Sequence, residues 1–249
     1  MGLSLYCPEA SSLFTRMSVE PDAPRKALIN TLIVALKTAG IWTKLDVLYL
    51  TAAHDAQAAR LNWVSSSYSL VAYSSPTFLV DRHYVGDGAA SYLDTEYQPG
   101  VSAGSKALQD DNHFGVWIRN NVNGTGIDCG STNHTINSNN SGNVSARNMA
   151  ATSDTVATNG TSVGHTVHSR SAAATYSRYK DGSSLGDATR TSAAPGALSA
   201  FLCCRNSGSA SAFSTRQIAA MHLGSGLTAS EVSSLRTALN TYLTALGAA

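Results

Sequence analysis

Ile218-Ala-Ala-Met-His-Leu-Gly-Ser-Gly-Leu-Thr-Ala-Ser-Glu-Val-Ser-Ser-Leu-Arg-Thr-Ala-Leu-Asn-Thr-Tyr-Leu-Thr-Ala-Leu-Gly247 holds a strand, a turn and a helix in one run. Ile218 to Leu223 is apolar enough for a buried closing strand, and Gly224-Ser-Gly226 turns the chain. Thr228-Ala-Ser-Glu231 then has the spacing of a capping box, in which hydroxyl and carboxylate each satisfy an amide of the first turn. Val232, Leu235, Leu239, Tyr242, Leu243 and Leu246 recur at helical spacing, and Gly247 stops the helix. A helix with one apolar stripe has to lay that stripe on something. It is therefore expected to dock on the strand region before it, and it presents no catalytic group.

Upstream of this run the period is two. Short segments rich in Val, Tyr, Phe and Thr alternate with Gly/Ser/Asn/Asp turns from about residue 68 onward, the pattern of an antiparallel sandwich. The expected strands are Ser69–Tyr73, Ala90–Thr95, Phe114–Arg119, Val144–Met149, His165–Ser169, Thr175–Lys180, Leu198–Cys204 and Arg216–Leu223, with Lys180-Asp181-Gly182 as a hairpin turn. In Phe114–Arg119 the alternation sends Phe114, Val116 and Ile118 to the core and Gly115, Trp117 and Arg119 outward. Residues 1–65 read as a helical N-terminal segment. Pro24 suits a first helical turn behind Asp22, a stripe runs from Ala27 to Leu36, and Gly40 ends it. Val47 to Thr51 is a possible strand within that segment. Residues 66–249 form the sandwich with its C-terminal helix, and no linker separates the two parts.

The balance of charge narrows the function. Only 13% of the 249 residues are charged and the formal net charge is +1, which argues against a nucleic-acid binder and its clustered Lys and Arg. Residues Met1–Met17 lack the apolar core of a signal peptide, and Ala27–Ile41 is too short and too polar to span a bilayer. The expectation is a soluble protein with no membrane partner, released from a cell by lysis if at all. Nine Asn lie between residues 120 and 148, read as loops and edge-like segments. Sequons begin at Asn123, Asn133, Asn139, Asn143 and Asn159, and are taken as chance in an Asn/Ser/Thr-rich chain.

Catalytic chemistry finds little support. His165 and His168 are three apart, so on a strand they face opposite ways and share no metal. Asp110-Asp111 falls far short of the oxygens calcium needs. There is no Gly-x-Ser-x-Gly elbow, the glycine pairs lack a nucleotide-loop setting, and Asp94 is the main carboxylate on any expected strand. No enzyme activity, metal or cofactor is expected. Binding fits better: Trp117, Arg119, Arg147 and Arg178, if outward-facing, could stack on sugar rings and bond their hydroxyls. The competing reading covers Trp117 with the N-terminal helices or a neighbouring subunit. Cys203 and Cys204, adjacent in a strand, should face opposite ways, as packing thiols or with one exposed for an intermolecular disulfide.

Several blocks in fixed order carry a resemblance. They are Arg25 through Gly40, Leu45-Asp-Val-Leu-Tyr49, Ala52-Ala-His-Asp55, Ala59-Arg-Leu-Asn-Trp63, Gly86-Asp-Gly88 with Ser91-Tyr-Leu-Asp-Thr95, Gly115-Val-Trp-Ile-Arg-Asn120, Phe213-Ser-Thr-Arg-Gln-Ile218, and Leu227 through Gly247. Together they resemble the concanavalin/laminin-G-like module of bacteriophage and prophage virion proteins. The resemblance implies a mainly β, antiparallel, concanavalin-like (jelly-roll type) β-sandwich with helices packed on it. It also implies a structural component at the virion surface, in a tail or as capsid decoration, assembled in the bacterial cytoplasm. Such a component would act through contacts with other virion proteins and as a homo-oligomer. The alternative is a carbohydrate-binding adhesin that attaches the particle to a host-surface glycan.

Overall fold

The period-two segments pair into two sheets that face one another, in a computed structural model that describes residues 5–157 and 160–249. The sequon at Asn159 lies outside the described residues. The first sheet runs Ser183–Thr189, Thr175–Lys180, Gly164–Arg170, Asn112–Ile118, Ile218–Gly224, His83–Val85 and Thr77–Leu79, and Leu45–Leu50 also pairs with Ile218–Gly224. The second runs Asp154–Ala157, Asn143–Asn148, His134–Asn140, Cys129–Ser131, Phe201–Leu202, Tyr92–Asp94 and Val71–Tyr73. Pairing is antiparallel apart from the bridge Asn206–Ser131, where the small hairpin Arg205–Asn206/Ala210–Ser211 joins. The protein is thus a mainly β, antiparallel sandwich with a few helices.

The alternation of Asn112–Ile118 holds. Phe114, Val116 and Ile118 enter the core between the sheets, with Val47, Tyr49, Met221, Leu223, Ile136 and Leu202. Each such side chain contributes about 1.5–3 kcal/mol through burial. The opposite face of the same sheet is covered too. Trp117, Val167, Tyr179, Leu48 and Ala220 lie beneath three helices, α1 (Pro8–Phe14), α2 (Ala23–Thr38) and α3 (Ala229–Ala245). The molecule therefore has three layers: helices, first sheet, second sheet. No described helix is long and apolar enough to cross a membrane.

Local chemistry explains the helix ends. Asp22 caps α2 by accepting from the Arg25 amide at 2.8 Å. Thr228 Oγ1 accepts from the Glu231 amide, and Glu231 Oε2 from the Thr228 amide at 2.8 Å, completing the capping box of α3. Gly247 takes φ +67°, and the Ala248 amide reaches back to the Leu243 carbonyl at 2.7 Å while that of Gly247 reaches Thr244, a Schellman closure. Leu235 and Leu239 are fully buried, so the helix docks as its stripe requires. The hairpin at residues 180–183 has φ +50° at Asp181 and +81° at Gly182, the two positive angles of a type I′ turn.

Three expectations need correction. The strand expected over Leu198–Cys204 ends at Leu202, because Cys203 takes φ +68°, which breaks the extended ladder. Cys203 and Cys204 are both fully buried free thiols, and burial pushes the Cys204 thiol up to about 12 and that of Cys203 higher still. Neither is presented for an intermolecular disulfide. Finally, His134–Asn140, in the Asn-rich stretch read as loops and edge-like segments, is a full strand paired with Asn143–Asn148, where the strand Val144–Met149 was expected. Two of their buried amides find partners in place of water: Asn137 Nδ2 donates to the Gly124 carbonyl at 2.9 Å and Asn139 Nδ2 to that of Gly160 at 2.8 Å.

Candidate functional site

The four residues expected to form a glycan patch do not come together. Trp117 is 2% exposed, stacked on His165 at 5.6 Å beneath the helices, so the covering that competed with the outward reading is what the fold provides. Arg119 lies at the C-terminal end of α3. Its Nε donates to the Ala248 carbonyl at 2.9 Å, and its charge, after burial, helps lower His83 to about 4. Arg147 lies on the second sheet and donates to the Thr132 carbonyl at 2.8 Å. Arg178 pairs with Asp154 and so ties the margins of the two sheets together. Each guanidinium is engaged by protein acceptors that the chain itself supplies.

The buried histidines are equally structural in placement. His165 lies on the helix side of the first sheet, with its Nε2 2.8 Å from His222 Nε2, whereas His168 faces Tyr176 within the sandwich. The two thus occupy opposite faces. Among the described residues no group of three or more His, Cys, Asp or Glu could hold a metal ion.

An aromatic row on the second sheet has a different character. Tyr73 and Tyr92 are direct cross-strand partners, stacked at 4.9 Å with planes 8° apart. Tyr92 in turn stacks on Phe201 at 4.5 Å and lies 6.4 Å from Phe213. Phe201 is nearly buried, Tyr92 half-buried, and Tyr73 is 42% exposed. The row therefore climbs from an anchored ring to an open one. Each stacked pair adds about 0.5–1.5 kcal/mol beyond burial, which holds Tyr73 in place. Val71–Tyr73 is the last strand of its sheet, so no further strand covers the other face of the Tyr73 ring.

Polar groups lie beside the row. Register places Asp94 opposite both Val71 and Phe201, hence on the aromatic face. One Asp94 oxygen accepts from the Glu96 amide at 2.7 Å, and Glu96 is itself exposed. Burial, and after it the neighbouring Tyr73 hydroxyl, raises the Tyr92 phenol above its ordinary range. It is a neutral hydrogen-bonding group at physiological pH. Backbone strain gathers beside the row: Ser74, Ser75 and Glu96 take φ of +52°, +55° and +54°. Non-glycine residues in this region are uncommon and cluster where a surface is held in a fixed shape. Both tyrosines fall in segments expected as strands. The signal that finds them is the alternation Tyr92-Leu93-Asp94, with Leu93 in the core and its neighbours outside.

No family model and no curated protein matches the chain. Its fold does match solved structures. Trypanosoma rangeli sialidase in complex with sialic acid aligns at a TM-score of 0.59 and 11% identity, over 87% of this chain and 39% of that one. The botulinum neurotoxin serotype D binding domain gives 0.55 and 8%, over 80% of this chain and 52% of the other, so the chain spans about half its length. Domain 4 of an extracellular arabinanase from Geobacillus stearothermophilus, in complex with arabinotriose, gives 0.50 and 15%, over 78% and 98%. At these identities the likeness establishes the β-sandwich fold and nothing finer.

Proposed function

We propose that the chain is a carbohydrate-binding module of a virion surface, and that it binds glycan across the Tyr73–Tyr92 row. The carrying observation is the exposed Tyr73 ring, supported from behind by Tyr92 and Phe201 and left open on its far side at the sheet edge. The apolar C–H face of a sugar packs on such a ring, while phenol hydroxyls donate or accept and the Asp94 and Glu96 carboxylates accept around it. Two fold neighbours support this reading, a sialidase with sialic acid and an arabinanase domain with arabinotriose. The virion setting rests on the ordered sequence blocks, with other virion proteins, or copies of this chain, as partners. In this reading the module binds and does not hydrolyse: one of the two carboxylates beside the row, Asp94, already commits an oxygen to the Glu96 amide.

The test is titration of purified protein with bacterial surface polysaccharides. Tyr73→Ala should weaken binding about tenfold or more, equal to about 1.4 kcal/mol, while the lost stacking lowers the melting temperature by only about 1–6 °C. Binding that is unaffected by Tyr73→Ala would sink the proposal. Mass spectrometry and cryo-electron microscopy of purified particles test the virion setting separately.

A further inference from the structure

A second concavity lies where the start of Leu45–Leu50 meets the loops 63–68 and 97–107. Its volume is about 290 Å³, and Asp46, Ser65, Tyr68, Tyr97, Ser105 and Lys106 line it. The floor is locked. Tyr97 hydroxyl donates to Asp46 Oδ2 at 2.7 Å and meets Ser105 Oγ at 2.5 Å, while Asp46 also accepts from the Lys106 and Ala107 amides at 3.0 and 2.9 Å. The rim differs. Tyr68 is half-buried and packs edge-to-face on Tyr97 at 5.2 Å. Its backbone is held at φ +63° by the buried Tyr49 hydroxyl, which donates to the Tyr68 carbonyl at 2.6 Å. A bulky side chain at that angle is unfavourable by itself, and the fold maintains it.

The rim also carries unused hydrogen-bonding capacity. Lys106 Nζ gives one N–H to the Leu45 carbonyl at 2.6 Å. An ammonium has three donors, so two remain without a protein partner among the described residues. The Tyr68 hydroxyl is likewise without one. We infer that this pocket is a separate binding site for a single neutral pyranose ring, whose C–H face packs on Tyr68 and whose hydroxyls bond Lys106 and the Tyr68 phenol. Pocket size favours one ring over an oligomer, since 290 Å³ lies at the small end of ligand sites, which start near about 300 Å³. Charge favours a neutral sugar over a sugar acid: the two charged lining residues are Lys106 and Asp46, which balance.

This site is independent of the Tyr73 row, and the experiment keeps the two apart. Saturation-transfer NMR is run with glucose, galactose, mannose, N-acetylglucosamine and glucuronate on the wild type, Tyr68→Ala, Lys106→Met and Tyr73→Ala. The expected result is transfer from at least one neutral monosaccharide, retained in Tyr73→Ala, lost tenfold or more in Tyr68→Ala, and weakened in Lys106→Met. A thermal melt of each variant confirms folding, and Lys106→Met carries the test if Tyr68→Ala does not fold. The inference is overturned if no neutral sugar binds, if glucuronate binds best, or if binding survives both pocket variants. Loss in Tyr73→Ala alone would overturn it too, by assigning the sugar to the open row.

Discussion

Replacing Gly115 by alanine tests how closely the first sheet is packed on its helix-facing side. Gly115 is paired with Val167 on one side and His222 on the other. A Cβ there would lie 2.2 Å from His222 Cε1 and 2.3 Å from Nε2, over 1 Å inside ordinary contact. His222 has no room to yield. It is fully buried, its Nε2 is bonded to His165 at 2.8 Å, and its ring lies 5.1 Å from that of His113. Overpacking a filled core costs about 1–3 kcal/mol, and breaking the imidazole pair adds about 1 kcal/mol. A total near 3 kcal/mol lowers the melting temperature of a chain this size by about 6–12 °C. Calorimetry at neutral pH reads this directly. The double variant Gly115→Ala/His222→Ala removes the obstructing ring, so its loss should be clearly smaller than the sum of the single losses. A Gly115→Ala protein melting within 2 °C of wild type, or strict additivity in the double variant, would refute the argument.

Acid should destabilise the protein early. Burial first of all lowers His113 to about 4, His134, His165 and His168 to about 3, and His222 well below its ordinary value, so all five are neutral when folded. The unfolded chain protonates them near pH 6.5, so it binds more protons; stability falls as pH drops below about 6.5 and continues falling until the folded values near 3–4. The urea midpoint should be lower at pH 5 than at pH 7.5, and equal midpoints would contradict the burial. Arg216→Met leaves Asp128 buried without its 2.7 Å partner and should cost about 3–5 kcal/mol in urea titration; a loss under 1 kcal/mol would mean water reaches the site. With a thiol reagent, half-buried Cys7 should label in the native protein while Cys129, Cys203 and Cys204 label only in denaturant; rapid labelling of either adjacent cysteine would contradict its burial.

Much of the fold was legible because its signals are local. The α3 capping box and stripe, the Asp22 cap, the Asp181-Gly182 turn and the Phe114/Val116/Ile118 alternation all depend on residues within one or two turns of each other. What escaped depends on contacts between distant segments. The strand His134–Asn140 has poor intrinsic β character, yet Arg216, from 77 positions away, reaches the Asn139 carbonyl and also bonds those of Val122, Gly124 and Gly126. A buried guanidinium that satisfies this many carbonyls fixes segments that propensity leaves as loops. The cysteine pair failed for a related reason: Cys203 turns at φ +68°, where the Ser214 amide bonds its carbonyl at 2.8 Å. The candidate site was half legible. Its strands were foreseen, but the choice of Trp117 over Tyr92 needed knowledge of which sheet the helices cover.

That choice shows how parity and layering combine. Strand alternation places Trp117 and Tyr92 alike on the faces turned away from the sandwich core. On the first sheet that face meets α2 and α3, and a large ring there becomes part of a second core. On the second sheet the same parity leads to a half-buried Tyr92 and an exposed Tyr73. An exposed aromatic on an edge strand would ordinarily invite another chain to add to the sheet. Here that is discouraged: the strand is three residues long, and Ser74 and Ser75, both at positive φ, bend the chain away before Pro76. The backbone of this edge is a poor template for further pairing, while its tyrosine remains open and stacked from behind. Such an arrangement suits a ligand that engages the ring and not the ladder, which is the geometry by which a sugar binds.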